Sequence, residues 1–130
     1  MSRPRYYITT PIYYATSEPH IGHAYCTIAG DVAARYRRMT GHDVFFLTGT
    51  DEHGQKMERE AAKLGLKAKD LADRTAPRYA LLWKKLNISN DDFVRTTEPR
   101  HLQAVHEMWR RMSERGDIYR GAYEGYYCVG

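Results

Sequence analysis

The chain has 130 residues, of which 42% are hydrophobic, and it carries a formal net charge of +4 at pH 7. This length allows one domain with a buried core, and the composition is ordinary for a soluble globular chain. The weak positive charge is compatible with an RNA partner but does not require one. No apolar stretch is long enough for a signal peptide or a membrane span, and two distant cysteines do not suggest a disulfide framework. We therefore expect a cytoplasmic protein without a membrane partner.

The amino-terminal third predicts a strand, a helix and a second strand. Residues 6–10 are aromatic and β-branched and precede a proline, which predicts a strand followed by a loop at 11–18. A helix is predicted at 20–39, and the continuous apolar run within 43–48 predicts a strand covered on both faces. This order predicts a right-handed βαβ unit with parallel strands.

The predicted helix at 20–39 carries apolar residues at spacings of three and four. They are Ile21, Tyr25, Ile28, Val32, Tyr36 and Met39. Because this spacing places them on one face, we expect that face, including Tyr25 and Tyr36, to pack in the core.

The remaining elements continue the alternation of helices and strands. They are helices at about 52–64 and 67–87, a strand at 93–97, a helix through Leu102 and Met112 that Gly116 ends, and an aromatic strand-like run at 118–129. Pro77 should kink or restart the second of these helices. The predicted fold class is α/β, the first half of a doubly wound parallel sheet of the Rossmann-like type, without its second half. In such sheets ligands bind beyond the carboxyl ends of the strands, where the loops at 11–18 and 49–54 lie.

The segment 20–23 (HIGH) opens the first helix with two histidines three residues apart. His20 and His23 share the first helical turn, where free backbone N–H groups and the helix dipole favour an anion. Gly22 between them leaves the backbone open to a ligand. These features suit a phosphate cradle, whereas two surface histidines that cap a helix are the structural alternative. The spacing does not match the HExxH pattern of metalloproteases.

The segment 49–54 (GTDEHG) has glycines five apart, as in a phosphate-binding P-loop. Gln55 stands where that loop requires lysine, and two carboxylates would repel a phosphate, so we reject this interpretation. A carboxylate at the end of a strand suits a cation such as an ammonium group. Asp51 could instead cap the helix that follows.

Three stretches in this order and spacing resemble the start of the methionyl-tRNA synthetase family: YITTPIYY at 7–14, HIGH at 20–23 and FFLTGTDEHG at 45–54. The HIGH element resembles the first signature of class I aminoacyl-tRNA synthetases, and the likeness extends over essentially the whole chain.

The resemblance implies particular roles for the motif residues. Pro11, Ile12 and Tyr14 match positions that line the pocket for the thioether of methionine, and Asp51 matches the aspartate that holds its amino group. The catalytic pair His20 and His23 would hold the phosphates of ATP in the transition state. Gly22 would let adenine or ribose lie against the backbone.

The same resemblance implies the reaction, its cofactors and its partners. ATP, with Mg²⁺, would activate methionine to methionyl-adenylate, and tRNA would then receive the methionyl group. Residues 1–116 would form the first half of the catalytic domain and 117–130 the start of a connective insertion, in which Cys128 would be a first Zn²⁺ ligand. Because the second half of the domain is missing, we expect the isolated chain to be inactive and prone to self-association.

Two other functions stay open from the sequence. A small nucleotidylyltransferase also uses a His-x-Gly-His phosphate site and can be complete at a modest length. A non-catalytic fragment could retain part of an amino-acid pocket. The tyrosine-rich segment and the 49–54 segment argue against the nucleotidylyltransferase.

Overall fold

The computed structural model describes residues 3–126, which form four strands and four helices in the order β1, β2, α1, β3, α2, α3, β4 and α4. The strands are β1 (Arg5–Thr9), β2 (Tyr13–Tyr14), β3 (Asp43–Asp51) and β4 (Asp92–Arg95). The helices are α1 (Ile21–Met39), α2 (Gln55–Lys63), α3 (Ala68–Lys85) and α4 (Pro99–Glu114).

Strand β3 is the centre of the sheet, and every strand that pairs with it runs parallel to it. Leu47 pairs with Thr9 of β1 and with Asp92 of β4, so these two strands lie on opposite sides of β3. The short strand β2 pairs further along β3, where Thr50 pairs with both Tyr13 of β2 and Arg95 of β4, so β2 lies on the same side as β1. The order of β4, β3 and β1 is that of the first half of a doubly wound sheet. The predicted fold class is therefore confirmed.

Helix α1 packs on the sheet through small residues, so the prediction for its large apolar face was wrong. Ala24, Thr27 and Ala34 are buried, whereas Tyr25 is 74% and Tyr36 59% exposed. Gly30 shows the reason, because a Cβ there would lie 3.1 Å from the ring of Phe46 in β3. Close approach of helix and sheet thus selects small side chains for the inner face and leaves the large ones outside.

The core beside the candidate site is built around Tyr13, which is 7% exposed. Its hydroxyl oxygen lies 2.9 Å from Oγ1 of Thr27 in α1, and its ring packs against Tyr79 and Trp83 of α3. Both helices therefore cover the same face of the sheet. The sequence did not predict β2, because Pro11 interrupts the chain and two residues are too short to show an alternating pattern.

Two boundaries and one predicted strand differ from the predictions. Strand β3 continues to Asp51, since β2 and β4 supply partners for residues that were predicted to form a loop. Helix α2 begins only at Gln55, after Gly54. Residues 118–126, the described part of the predicted strand at 118–129, contain no strand and are mostly exposed. The proposed domain boundary between 116 and 117 stays a prediction.

Helix α3 runs through Pro77 without a break, which the sequence did not predict. A proline in a helix removes one backbone hydrogen bond and crowds the preceding turn. Here the residues on both sides are buried: Leu71 and Ala72 pack on α2, and Tyr79 and Trp83 pack on Tyr13. These contacts offset the local cost and keep the two halves in one helix.

Buried polar contacts tie α1 and β3 to the connection between α3 and β4. The Asp31 carboxylate accepts hydrogen bonds from the backbone N–H of Ser89 (2.7 Å) and from Nε of Arg35 (2.7 Å). Burial by itself raises the pKa of Asp31, but the hydrogen bonds from Ser89 and Arg35 outweigh it and lower the pKa. The N–H of Phe46 donates to Oδ2 of Asp91 (2.7 Å), which fixes the same connection to β3.

A substitution at Gly49 tests the close pairing of β3 with β4. A Cβ at this position would lie 2.0 Å from the carbonyl oxygen of Val94. Because backbone cannot yield as a side chain can, we expect Gly49→Ala to lower the free energy of unfolding by about 1–3 kcal/mol. Gly121→Ala is the matched control, since its Cβ would meet only ordinary contacts, and should change stability by less than about 0.5 kcal/mol. Equal urea-unfolding midpoints for the two variants would contradict this packing.

Candidate functional site

The two motif-bearing segments meet at the carboxyl ends of the strands. Tyr14 of β2 pairs in register with Asp51 of β3, so their side chains lie next to each other on the same face of the sheet. The N–H of Ala15 donates to the carbonyl oxygen of Asp51 (3.4 Å), which continues the pairing. The structure thus brings Tyr14 and Asp51 together, as the candidate methionine site requires.

Pro11, Ile12 and Tyr14 are exposed, and among them Tyr14 pairs directly with Asp51. Ile12 is 44% and Tyr14 47% exposed, and Nζ of Lys56 lies 5.2 Å from the centroid of the Tyr14 ring. Their apolar surface faces outward, where a further protein segment or a ligand could cover it. The roles inferred for these residues stay predictions.

The two histidines cap helix α1 by a reciprocal pair of hydrogen bonds. The backbone N–H of Gly22 donates to Nδ1 of His20 (3.1 Å), and the backbone N–H of His20 donates to Nδ1 of His23 (3.0 Å). The imidazole rings stack with centroids 3.8 Å apart. This is the arrangement of a capping box, with histidines in place of the usual Ser or Thr and Glu or Gln.

The cap determines which ring nitrogen carries the proton. Since Nδ1 accepts a hydrogen bond in His20 and in His23, each neutral ring must carry its hydrogen on Nε2. Burial, together with the charge of His20, lowers the pKa of His23 and so favours its neutral form. The pair therefore presents two Nε2–H donors. The structural alternative and the phosphate cradle are compatible, because capping uses one nitrogen of each ring and leaves the other for a ligand.

Gly22 has a reason to be glycine besides access for a ligand. A Cβ at this position would lie 3.0 Å from Cε1 and 3.2 Å from Nδ1 of His20. The imidazole of His20 folds back over the helix end to reach the N–H of Gly22, and it occupies the space that a side chain would need. The glycine thus permits the histidine cap.

Asp51 and Glu52, adjacent in sequence, have different environments. The Glu52 side chain is fully buried and accepts hydrogen bonds from Arg95 at 2.6 and 3.0 Å, from Thr97 at 2.5 Å and from Thr50 at 2.8 Å. Burial alone raises the pKa of Glu52, but the hydrogen bonds from Arg95, Thr97 and Thr50 outweigh it and lower the pKa. Glu52 is therefore a charged structural anchor.

Asp51 lies beside this anchor and is only partly buried. Its Oδ1 accepts a hydrogen bond from the backbone N–H of His53 (3.3 Å). It does not cap α2, whose N-cap is Gly54 without a side-chain hydrogen bond, so the structural alternative for Asp51 is wrong. A carboxylate held at a strand end in this way suits a cationic group.

Contacts made by Tyr13 and by Arg95 of β4 shape the site, and the sequence did not identify either residue as part of it. The Tyr13 ring lies 4.8 Å from that of His23, and Arg95 pairs with Glu52 across 43 residues of sequence. A buried tyrosine needs a partner for its hydroxyl, which could have marked Tyr13. No local pattern marks Arg95.

Metal and membrane sites receive no support within residues 3–126. That part of the chain contains no group of three or more His, Cys, Asp or Glu side chains that could hold a metal ion. It also contains no helix long and apolar enough to cross a bilayer. Cys128, the candidate zinc ligand, lies outside the described residues.

Comparisons with known proteins agree on one family. The family model described as tRNA synthetases class I (M) matches residues 6–130. The methionine–tRNA ligase of Thermotoga maritima is 54% identical over 125 residues, which are 96% of this chain and 20% of that protein. The ligase of Clostridium tetani is 52% identical over 129 residues, or 99% of this chain and 20% of that protein. The chain thus spans about a fifth of the length of these relatives.

A solved structure shows the same fold. The Mycobacterium tuberculosis methionyl-tRNA synthetase bound by methionyl-adenylate superposes with a TM-score of 0.86 at 50% sequence identity. The match covers 88% of this chain and 23% of that protein. A second structure of the same enzyme in complex with methionyl-adenylate has a TM-score of 0.86 at 48% identity, over 91% of this chain and 23% of that one.

Two variants of His20 separate its capping role from the ring itself. His20→Ala removes the acceptor for the Gly22 N–H and should lower the free energy of unfolding by about 0.5–2 kcal/mol. His20→Asn keeps a side-chain acceptor at the cap and should lower the free energy of unfolding by only about 0.3 kcal/mol. Urea unfolding measures both. If alanine were tolerated as well as asparagine, the histidine would not be the cap.

Acid unfolding tests the buried Glu52. Because its folded pKa lies below the ordinary 4.5, its contribution is fully present above that pH and is lost as the pH falls through the lowered pKa. We expect Glu52→Gln to cost about 1–3 kcal/mol at neutral pH and to flatten the acid limb of the stability curve. Exposed Glu124→Gln is the control and should leave both unchanged. An unaltered acid limb in Glu52→Gln would refute the assignment.

Proposed function

Because the chain belongs to the family of class I tRNA synthetases (M), we propose that it supplies the methionine- and ATP-binding part of the catalytic domain of a methionine–tRNA ligase. The complete enzyme joins methionine to tRNA at the expense of ATP, and this chain carries the histidine pair and the candidate methionine residues. The chain spans about a fifth of its curated relatives, so this proposal concerns the longer protein of which such a segment is part.

One set of contacts carries the proposal. His23 packs against Tyr13, the next residue Tyr14 pairs with Asp51, and Asp51 lies beside the anchored Glu52. Donors for an anion and a carboxylate for a cation therefore lie on adjoining elements at one end of the sheet. Methionine and ATP together present an ammonium group and a chain of phosphates, and they require such a pair of sites.

The proposed reaction has two steps. The carboxylate oxygen of methionine attacks the α-phosphorus of ATP, a new phosphorus–oxygen bond forms, and pyrophosphate leaves with the electrons of the broken bond. A hydroxyl of the terminal ribose of tRNA then attacks the carbonyl carbon of the adenylate, the bond from that carbon to the phosphate oxygen breaks, and AMP leaves while the hydroxyl proton passes to its phosphate or to water. Nε2–H groups of His20 and His23 would donate hydrogen bonds to phosphate oxygens as charge develops there. Formation of the adenylate needs positioning and charge stabilisation, so we assign no general base to it.

The remaining residues receive complementary roles. Asp51 would accept hydrogen bonds from the ammonium group of methionine, and Pro11, Ile12 and Tyr14 would border its thioether, which suits apolar and aromatic walls. Gly22 would allow adenine or ribose to approach the backbone. The Mycobacterium tuberculosis enzyme, whose structure was solved with bound methionyl-adenylate, supports a site for both substrates in this fold.

Two metal ions are implied for the proposed enzyme, Mg²⁺ and Zn²⁺, and the support for each is different. Mg²⁺ would arrive bound to the phosphates of ATP, as a part of the substrate. The residues at 3–126 do not supply a Zn²⁺ site, which needs about four ligands, so a zinc site beginning at Cys128 would depend on residues beyond that range. No step of the proposed reaction passes through zinc.

The proposed setting is the cytoplasm, with tRNA as partner of the longer protein. For the isolated chain we propose self-association, because α1 exposes Ile21 at 85% and Met39 at 86%, and α4 exposes Trp109 at 61%. Exposed apolar faces of this kind favour association.

Two other functions can be separated from this one by binding. A small nucleotidylyltransferase would bind a nucleotide and a phosphorylated co-substrate, without methionine. A non-catalytic fragment would bind methionine without ATP. Calorimetry with methionine, with ATP and with both together discriminates the three functions, and the geometry beside Asp51 favours the ligase.

ATP–pyrophosphate exchange by the longer protein tests the phosphate role. His20→Asn retains the cap but removes an Nε2–H donor, so we expect exchange to fall by about 10²–10³-fold while methionine affinity changes little. Asp51→Asn should instead weaken methionine more than ATP. Exposed His106→Ala is the control. The isolated 130-residue chain should show no methionine-dependent exchange. An unchanged exchange rate in His20→Asn would overturn the assignment.

A further inference from the structure

Tyr79 of α3 contacts both the histidine pair and the segment of Tyr14, although it lies more than fifty residues from either in sequence. Its side chain is fully buried. The single hydroxyl hydrogen is shared between the carbonyl oxygens of Tyr14 (3.2 Å) and Ser17 (3.3 Å), in the segment that carries candidate methionine residues. The ring meets that of His23 edge to face at 5.2 Å, on the candidate phosphate side.

The contacts of Tyr79 differ in what they restrain. The hydroxyl holds the backbone of residues 14–17. Because Tyr14 pairs with Asp51, this contact also helps to fix the position of the Asp51 carboxylate. The ring restricts the orientation of the His23 imidazole, which also contacts the rings of Tyr13 and His20. Burial raises the pKa of Tyr79, so its hydroxyl stays protonated and remains a donor.

We propose that Tyr79 is a positioning residue that fixes the methionine-binding segment relative to the histidine pair. The proposal rests on the proposed function and deepens it. In it, a residue of α3 sets the distance between the proposed binding sites for methionine and for the phosphates of ATP. Filling the core at this place would require only an apolar side chain. The tyrosine hydroxyl adds a donor to the backbone of the 14–17 segment, which an apolar side chain could not supply.

The chain offers a matched control on the same helix. Thr75 is also buried in α3, and its Oγ1 donates to the carbonyl oxygen of Leu71 (2.9 Å) within that helix. Tyr79→Phe and Thr75→Val each remove one buried hydroxyl and keep the side-chain shape. Only the first touches the candidate site. Comparing them separates loss of positioning from loss of stability.

The first experiment measures steady-state exchange kinetics in the longer protein. We expect Tyr79→Phe to raise KM for methionine by about 2- to 12-fold, the factor that one hydrogen bond corresponds to, with kcat changed less than about twofold. Tyr79→Leu, which also removes the ring from His23, should lower kcat as well. Thr75→Val should leave both parameters unchanged. A Tyr79→Phe enzyme indistinguishable from Thr75→Val overturns the positioning role.

The second experiment needs no activity and uses the chain as it stands. The N–H of Ala15 donates to Asp51, so its hydrogen exchange reports on the 14–17 segment. Tyr79→Phe should speed exchange at Ala15 more than at Phe46 in the centre of β3, whereas Thr75→Val should speed both alike or neither. Equal acceleration at the two amides overturns the proposal. If the wild-type longer protein shows no methionine-dependent ATP–pyrophosphate exchange, the proposed function fails. The hydrogen-exchange result still decides whether Tyr79 holds the 14–17 segment.

Discussion

Parallel pairing around β3 is the constraint on which the rest of the structure depends. Because Thr50 pairs with Tyr13 on one side and with Arg95 on the other, the ends of three strands meet at one edge. That edge determines where Asp51 and Tyr14 lie, and it delivers Arg95 to the buried Glu52. The helices complete this edge: α1 brings the histidines, and α3 brings Tyr79, which contacts both His23 and the 14–17 segment.

The charges at this edge are divided between structure and candidate function. Glu52 is saturated by Arg95 and two threonines, and its negative charge is compensated within the fold. This arrangement lets a second carboxylate, Asp51, remain near the surface without a cluster of uncompensated acids. The histidines follow a similar division within one ring, since Nδ1 serves the helix and Nε2 is left for a ligand. Stability and the proposed binding thus use different atoms of neighbouring groups.

The sequence predicted those features that depend on local pattern. The apolar run before Thr48 indicated a parallel strand, and the segments that follow the first two predicted strands were correctly placed together. The expectation that this strand is covered on both faces was wrong, because Phe46 is buried whereas Phe45 is 47% exposed. The inner face of α1 was missed because periodicity shows spacing but not direction, and small residues such as Ala34 carry little hydrophobic signal. The partner of Glu52 was missed because Arg95 approaches only through the pairing of β3 with β4. The hydroxyl partners of Tyr79 were missed because they depend on where the 14–17 segment folds.

The central claim is that the reciprocal cap fixes both histidines as Nε2–H donors. Long-range ¹⁵N–¹H correlation spectra of the ring nitrogens, recorded at about pH 8 where histidine is neutral, test it most directly. Signals are assigned with His20→Ala and His23→Ala, and exposed His106 serves as an unrestrained reference. The account predicts the Nε2–H tautomer for both His20 and His23. A protonated Nδ1 in either ring would contradict it, because that nitrogen could not accept the hydrogen bond that closes the cap.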